Sequence, residues 1–252
     1  MKSFFLPLST AIRFLTIVPL PLRGAEDENS FSRALYFFPV IGILIGLTGY
    51  TLATLLCQFL PLQVASLCLI VFLAFVSGCL HLDGLADSAD GLLSSRPRER
   101  ALEIMKDSRT GAMGVVAIVF VLLGKYAALS SMDIRMLCLS LFFMPLAGRC
   151  TLVFVMALQK YAREEGGLGQ LFYSGKSKKA AALAALIMIV LFAVIAPALL
   201  PAILLTLFFT IFLFISWCNG KLGGATGDTL GAACEIAETV TALTFAAFSL
   251  MT

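Results

Sequence analysis

Apolar stretches of about 20 residues recur along this chain from Tyr36 to Met251, separated by short polar breaks. Wound as a helix, a run of that length crosses a hydrocarbon layer of roughly 30 Å. The pattern predicts about seven crossings, at 34–60, 62–82, 113–131, 136–158, 180–200, 202–219 and 229–250. Residues 3–22 read differently, because Lys2 precedes a brief apolar run that Arg13 interrupts and no small-residue cleavage site follows. That pattern predicts a segment lying at the membrane interface or re-entering it, not a cleaved signal peptide. The expectation is an all-α, polytopic helical membrane protein forming one integral membrane domain over 1–252. No long linker, low-complexity tract or clear internal repeat divides it.

Composition sharpens this picture. Sixty per cent of the 252 residues are apolar and 13% are charged, and the mean hydropathy is +0.99. A water-soluble domain does not tolerate such a surface. The net charge of +3 gives no case for nucleic acid, since the basic residues fall in separate short loops and form no stripe. Nearly all loop Lys and Arg lie in 86–112, 159–179 and 219–228, whereas the loops around Pro61, Asp133 and Pro201 carry little beyond Asp133 and Arg135. Positive charge marks the cytoplasmic side, so the three basic loops are expected there and the C-terminus outside. The seven cysteines sit in apolar stretches without a C-x-x-C pair, which predicts packing residues, not a disulfide framework or zinc site.

The second predicted crossing ends in Ser77-Gly-Cys-Leu-His81-Leu-Asp83-Gly84-Leu-Ala-Asp87-Ser-Ala-Asp90-Gly91. The i, i+4, i+7 spacing of the aspartates puts Asp83, Asp87 and Asp90 on one face of a continuing helix. Three like charges that close call for a cation among them. Mg²⁺ is the natural candidate, being held by one or two carboxylates together with substrate phosphates. The bland alternative is a solvated helix end. Gly84 and Gly91 weigh against it, as glycines that let a ligand approach the backbone. His81, the only histidine, could be a general base, a metal ligand or a hydrogen-bonded helix residue.

A short amphipathic helix is expected to begin near Pro97, followed by Lys106-Asp107-Ser108-Arg109-Thr-Gly111 leading into the third crossing. Cations beside an acidic metal site suit diphosphate oxygens. Topological anchoring accounts fully for Arg96, Arg98 and Arg100, and less well for Lys106 and Arg109. The last crossing opens with Gly223-Gly224-Ala-Thr226-Gly227-Asp228, a glycine loop running into a helix N-terminus, where free amides and the helix dipole favour an anion. Glu235 and Glu238 follow within an otherwise apolar membrane helix. They must face a wet cavity, as substrate-binding groups, or pair with Lys125 or Arg149 to hold helices together. A third loop, Tyr161-Ala-Arg163-Glu-Glu-Gly166-Gly167, combines cation and glycines.

At these residues the chain resembles the cobalamin synthase family, the adenosylcobinamide-GDP ribazoletransferases. The likeness rests on His81-Leu-Asp83-Gly84-Leu-Ala-Asp87-Ser-Ala-Asp90-Gly91, Ile104-Met-Lys106-Asp107-Ser108-Arg109-Thr-Gly111, Tyr161-Ala-Arg163 and Gly223-Gly224-Ala-Thr226-Gly227-Asp228-Thr-Leu-Gly231-Ala. Arg13-Phe-Leu-Thr and Phe38-Pro-Val-Ile-Gly42 support it, so the likeness spans nearly the whole chain. One departure is Cys79, where the family's pattern has a glycine or other small residue. The resemblance implies a bacterial inner-membrane enzyme that joins adenosylcobinamide-GDP to alpha-ribazole or its 5′-phosphate and releases GMP. In that reading Asp83, Asp87, Asp90 and Asp228 hold Mg²⁺, Lys106 and Arg109 neutralise the leaving GMP, and His81 or an acid takes the hydroxyl proton. Asp107, Ser108, Arg163, Gly223, Gly224, Thr226, Gly227, Glu235 and Glu238 would bind substrate. A homo-oligomer and other membrane-associated cobalamin-assembly enzymes are the expected protein partners. The closest competing family, the CDP-alcohol phosphotransferases, has an Ala-Arg pair after its Asp-Gly, where this chain has Leu85-Ala86-Asp87. A secondary transporter would place its charges near the midplane and often in two related halves.

Overall fold

The computed structural model describes residues 2–20, 28–163, 165–173 and 177–250. The helices are α1 (Lys2–Leu15), α2 (Glu28–Ala34), α3 (Phe38–Phe59), α4 (Leu62–Val76), α5 (Leu80–Leu92), α6 (Arg98–Ile104), α7 (Ala112–Ser131), α8 (Ile134–Leu158), α9 (Ser177–Ile195), α10 (Leu200–Leu222) and α11 (Gly227–Ser249). Among the described residues there is no β-strand, and six stretches are long and apolar enough to cross a membrane. The bent pair α4–α5 makes a seventh candidate. The chain is thus an all-α, multi-pass membrane protein. Residues 21 and 22 of the expected interfacial segment lie outside the described residues, and its earlier part is α1.

The helices differ in how much of themselves they hide. The apolar window of α8 is 78% buried, against 22% in each of α7, α9 and α10, so α8 is the central post and the other three face lipid. Close packing of α3 on α8 depends on Gly42 and Gly46, where an added Cβ would come within 2.8 Å of Pro145 O and 2.2 Å of Phe142 O. On another side of α8, Phe143 stacks on Phe192 of α9 at 3.8 Å between ring centroids, and Phe245 of α11 joins the cluster.

One expectation fails. The predicted crossing at 62–82 is not a single helix, because α4 stops at Val76 and the chain turns by 85° before α5 begins. Fifteen residues rise only about 22 Å, short of the roughly 30 Å of a hydrocarbon core. The turn is made by Gly78 and Cys79, both left-handed at φ of +60° and +59°. Cys79 is the position where the family resemblance implies a glycine or other small residue, and its backbone is one that favours glycine. Hydropathy runs on unbroken through this bend, so apolar length alone could not reveal it. The Ile17 amide donates to Val76 O at 2.9 Å, which supplies the cut end of α4 with a partner.

After the bend α5 lies across the N-terminal ends of α11 and α7. Its Gly84 meets the Asp228 backbone and its Asp90 meets the amides of Gly111 and Gly114. It therefore runs along the end of the bundle, outside the six helices that are each long and apolar enough to span a membrane. Gly84 and Gly91 were expected to admit a ligand. Instead, a Cβ on Gly84 would lie 2.7 Å from Asp228 O, and one on Gly91 would lie 2.4 Å from the Met105 side chain. Both glycines serve close packing of α5 on its neighbours.

Candidate functional site

The aspartate spacing on α5 works as the helical period requires, giving three carboxylates along one side. Their fates differ. Asp83 is exposed, while Asp87 and Asp90 are half-buried. Asp90 accepts hydrogen bonds from the amides of Gly111 at 2.6 Å and Gly114 at 2.9 Å, so it caps the N-terminus of α7 and meets the positive end of its dipole. Asp87 has no such donors among the described residues. Partial burial, and then the nearby carboxylates of Asp228, Asp83 and Asp90, push its pKa up to about 7, with only Arg163 opposing them.

Asp228 comes from the first turn of α11. Arg163 donates to its Oδ2 at 2.6 Å, and the Thr226 hydroxyl donates to the same oxygen at 3.3 Å. Together His81, Asp83, Tyr161, Arg163 and Asp228 line a cavity of about 260 Å³, walled on one side by Phe14 of α1. His81 is 3% exposed, and its Nε2 has no hydrogen-bond partner among the described residues. The same holds for Nε of Arg163. Two donor-capable groups without partners thus border one cavity, which suits a polar ligand there. No three His, Cys, Asp or Glu side chains among the described residues converge closely enough to hold a metal ion by themselves.

The glycine loop departs from expectation. Its amides are largely spent inside the protein: Gly223 N donates to Asn219 O, Ala225 N to Lys160 O and Thr226 N to the Thr229 hydroxyl. Thr226 and Thr229 form a capping box at the start of α11, and Thr226 is fully buried. Gly223 ends α10 in the left-handed region, and a Cβ on Gly224 would lie 2.3 Å from Lys160 O. Gly223, Gly224 and Thr226 thus shape the loop more than they offer free donors. Among the glycines of this loop, Gly227 has open space at its Cβ position, and it lines the cavity.

The basic residues divide in a similar way. Lys106 pairs with Glu165, and Arg109 pairs with Asp107 at 2.7 Å, on an exposed turn that also carries Ser108. The Arg109 guanidinium holds the Asp107 carboxyl down to about 2. Arg98, Lys106, Arg163 and Glu165 border a second pocket of about 400 Å³, which shares Arg163 with the first. Arg98, read from sequence as an anchoring charge, ties two loops together, since its Nε donates to Leu222 O at 2.7 Å and its Nη2 to Ala162 O at 2.9 Å. Lys221 donates to Ser94 O at 2.6 Å, and Tyr161 bridges to Ala225 in parallel. The three basic loops expected on one side do meet at one end of the bundle. Phe14 was quoted only as part of the family likeness, and Tyr161 only as a member of a basic, glycine-bearing loop and of that likeness. No spacing marked them as cavity walls, because the contact depends on loops folding over α5.

Glu235 and Glu238 sit elsewhere. Lys125 donates to both at 2.7 Å, and Arg149 donates to Glu238. All four side chains are at most 6% exposed. The arrangement is the helix-to-helix pairing weighed from the sequence, and neither glutamate lines the cavity.

Fold and site together define an integral membrane protein that gathers carboxylates and an arginine in a cavity at the end of its helix bundle. The chain belongs to the cobalamin-5-phosphate synthase family, whose model matches residues 7–246. A relative from Geotalea daltonii is 39% identical over 237 residues, covering 94% of this chain and 95% of that protein. Relatives from Acetivibrio thermocellus and Clostridium acetobutylicum are 37% and 35% identical, again over 94% of this chain, and cover 96% and 94% of their own lengths. All three are named adenosylcobinamide-GDP ribazoletransferase. No solved structure matches the chain.

Proposed function

We propose that this chain joins adenosylcobinamide-GDP to alpha-ribazole or alpha-ribazole 5′-phosphate, giving adenosylcobalamin or its 5′-phosphate and GMP. The names of the relatives supply the substrate. The observation that carries the chemistry is Asp87, whose carboxyl is pushed up to about 7 by burial and by three other carboxylates around one arginine. Such a site favours a bound cation.

The donor set suits Mg²⁺, since it offers only carboxylate oxygens. Asp83 and Asp87 would be its principal holders, with Asp228 near them, while Asp90 is committed to the α7 amides. Substrate phosphate and water oxygens would complete the shell, as is usual for this ion. When bound, Mg²⁺ neutralises charge on the diphosphate.

A ribose hydroxyl oxygen forms a bond to the phosphorus bearing the aminopropanol arm. The bond from that phosphorus to the bridging oxygen breaks, and GMP leaves with that oxygen. The hydroxyl proton passes to a cavity base, for which Asp83 and His81 stand in place. Arg163 orients and neutralises the phosphoryl oxygens, having one guanidinium nitrogen on Asp228 and another without a partner. A cavity of about 260 Å³ holds the reacting phosphate and the edge of a ribose. The much larger corrin ring stays outside it. The adjoining pocket, with Arg98, Lys106 and Arg163, receives the guanosine end. The clustering of Lys and Arg in the three loops at this end supports a site facing the cytoplasm from the bacterial inner membrane.

Incubation of the purified chain with adenosylcobinamide-GDP and labelled alpha-ribazole phosphate tests this reading. Label should enter the corrinoid in step with GMP release, and GMP should not appear without the ribazole. Nucleotide release that ignores the ribazole would refute it.

A further inference from the structure

Four charged side chains are buried inside the bundle and take no part in the reaction just described. Lys125 on α7 donates to Glu235 and Glu238 on α11 at 2.7 Å each, and Arg149 on α8 donates to Glu238. Arg149 is 1% exposed. Stability alone is a weak reason for such a cluster, because a buried ion pair replaced by well-packed apolar groups is often neutral or stabilising. Buried polar networks are better at fixing one arrangement among several.

What this cluster fixes is α11. Glu235 lies seven residues beyond Asp228, two helical turns along the same side. Between them α11 touches α5 backbone to backbone: a Cβ on Gly231 would lie 3.2 Å from His81 Cα, and one on Gly84 would lie 2.7 Å from Asp228 O. Farther along α11, α8 packs closely as well, since a Cβ on Gly148 would lie 2.8 Å from Cys234 Sγ and 3.0 Å from Glu238 Cγ. Gly84 and Gly231 offer no side chain to set the rotation of α11 about its axis where it meets α5. Buried side chains such as Phe245 restrain α11 farther along, and nearer the site the two cations add a polar restraint; the field of Arg149, Glu238 and Lys125 also reaches His81.

We propose that Lys125 and Arg149 are positioning residues of the phosphotransfer site, setting through Glu235 and Glu238 the rotation of α11 that presents Asp228 to the cavity. The inference rests on the reaction proposed above. Misplacing a catalytic group by about 1 Å costs on the order of 10²-fold in rate, so disturbing the cluster should lower kcat and leave KM nearly alone.

The test uses the full chain in lipid nanodiscs and two variants. The first is Lys125→Met/Arg149→Met/Glu235→Gln/Glu238→Gln, which removes the charges together; the second is Arg149→Lys, which keeps the charge and changes only the geometry. Turnover should fall about 100-fold in the first and about tenfold in the second, with KM for both substrates within about twofold and the thermal midpoint of Arg149→Lys unchanged. Independently of substrate, amide hydrogen exchange over 228–232 should accelerate about tenfold. If the fourfold variant does not fold, Arg149→Lys decides by the same readouts. Turnover within about threefold of the parent, or unchanged exchange over 228–232, overturns the inference. A parent chain that releases no GMP refutes the reaction itself, and the exchange data then decide the positioning role alone.

Discussion

Two charged regions of this molecule stand in contrast. At the end of the bundle, Asp83, Asp87, Asp90 and Asp228 gather near one arginine, and Asp83 and Asp228 border a cavity with it. Inside the bundle, two buried carboxylates meet two buried cations. The first region has more carboxylates than cations and asks for a cation and an anionic substrate; the second matches two carboxylates with two cations. Buried charge alone therefore does not mark a site. Unmatched charge beside an open volume does.

Neutralising one member of each region should separate them most sharply. Asp83→Asn and Asp87→Asn are expected to lower GMP release by about 10³-fold or more, because they remove charge stabilisation in the transition state. The thermal midpoint of Asp87→Asn should hold or rise, since that change relieves repulsion. Near-normal turnover would remove Asp83 and Asp87 from the site. Glu238→Gln should do the opposite to stability. It strands Arg149 in an apolar interior, a loss of about 3–5 kcal/mol that a thermal or denaturant unfolding series would register. A variant as stable as its parent would show that the cluster is not the closed unit described here.

Smaller effects sharpen the contrast. Gly84→Ala puts a methyl group 2.7 Å from Asp228 O, so α5 and α11 must part. Turnover is expected to fall about tenfold to 100-fold, and a normal rate would mean that this contact is not critical. Asp87 adds a pH dependence. With its carboxyl pushed up to about 7 and protonated below that value, Mg²⁺ has to displace a proton there. The half-saturating Mg²⁺ concentration should therefore rise about tenfold per pH unit below pH 7 and level off above it. A flat profile would contradict the carboxylate's role. Lys106→Gln breaks only an exposed pair with Glu165. Stability should change by less than about 1 kcal/mol, with KM for adenosylcobinamide-GDP raised a few-fold, as initial-rate kinetics would show.

The periodic features of this chain were legible in its residues. Apolar length located the spanning helices, and the 4- and 3-residue steps from Asp83 to Asp87 to Asp90 put those acids along one side of α5, as found. The bend at Gly78 and Cys79 was not legible, because a change of φ leaves hydropathy untouched. Nor could spacing choose between a wet and a paired fate for Glu235 and Glu238. Their partners lie on α7 and α8, more than 80 residues away in sequence. The glycines misled for a related reason. At Gly84 and Gly91 a missing side chain admits another part of the chain, and sequence alone cannot say whether the visitor is a ligand or a neighbouring helix.

The most direct measurement is GMP release by the purified chain given both substrates, first with Mg²⁺ and then after chelation with EDTA. The account predicts release with Mg²⁺, its loss under EDTA and its return on adding Mg²⁺ back. Release that continues undiminished under EDTA would contradict the central claim that the unmatched carboxylates at the end of the bundle work by holding a cation.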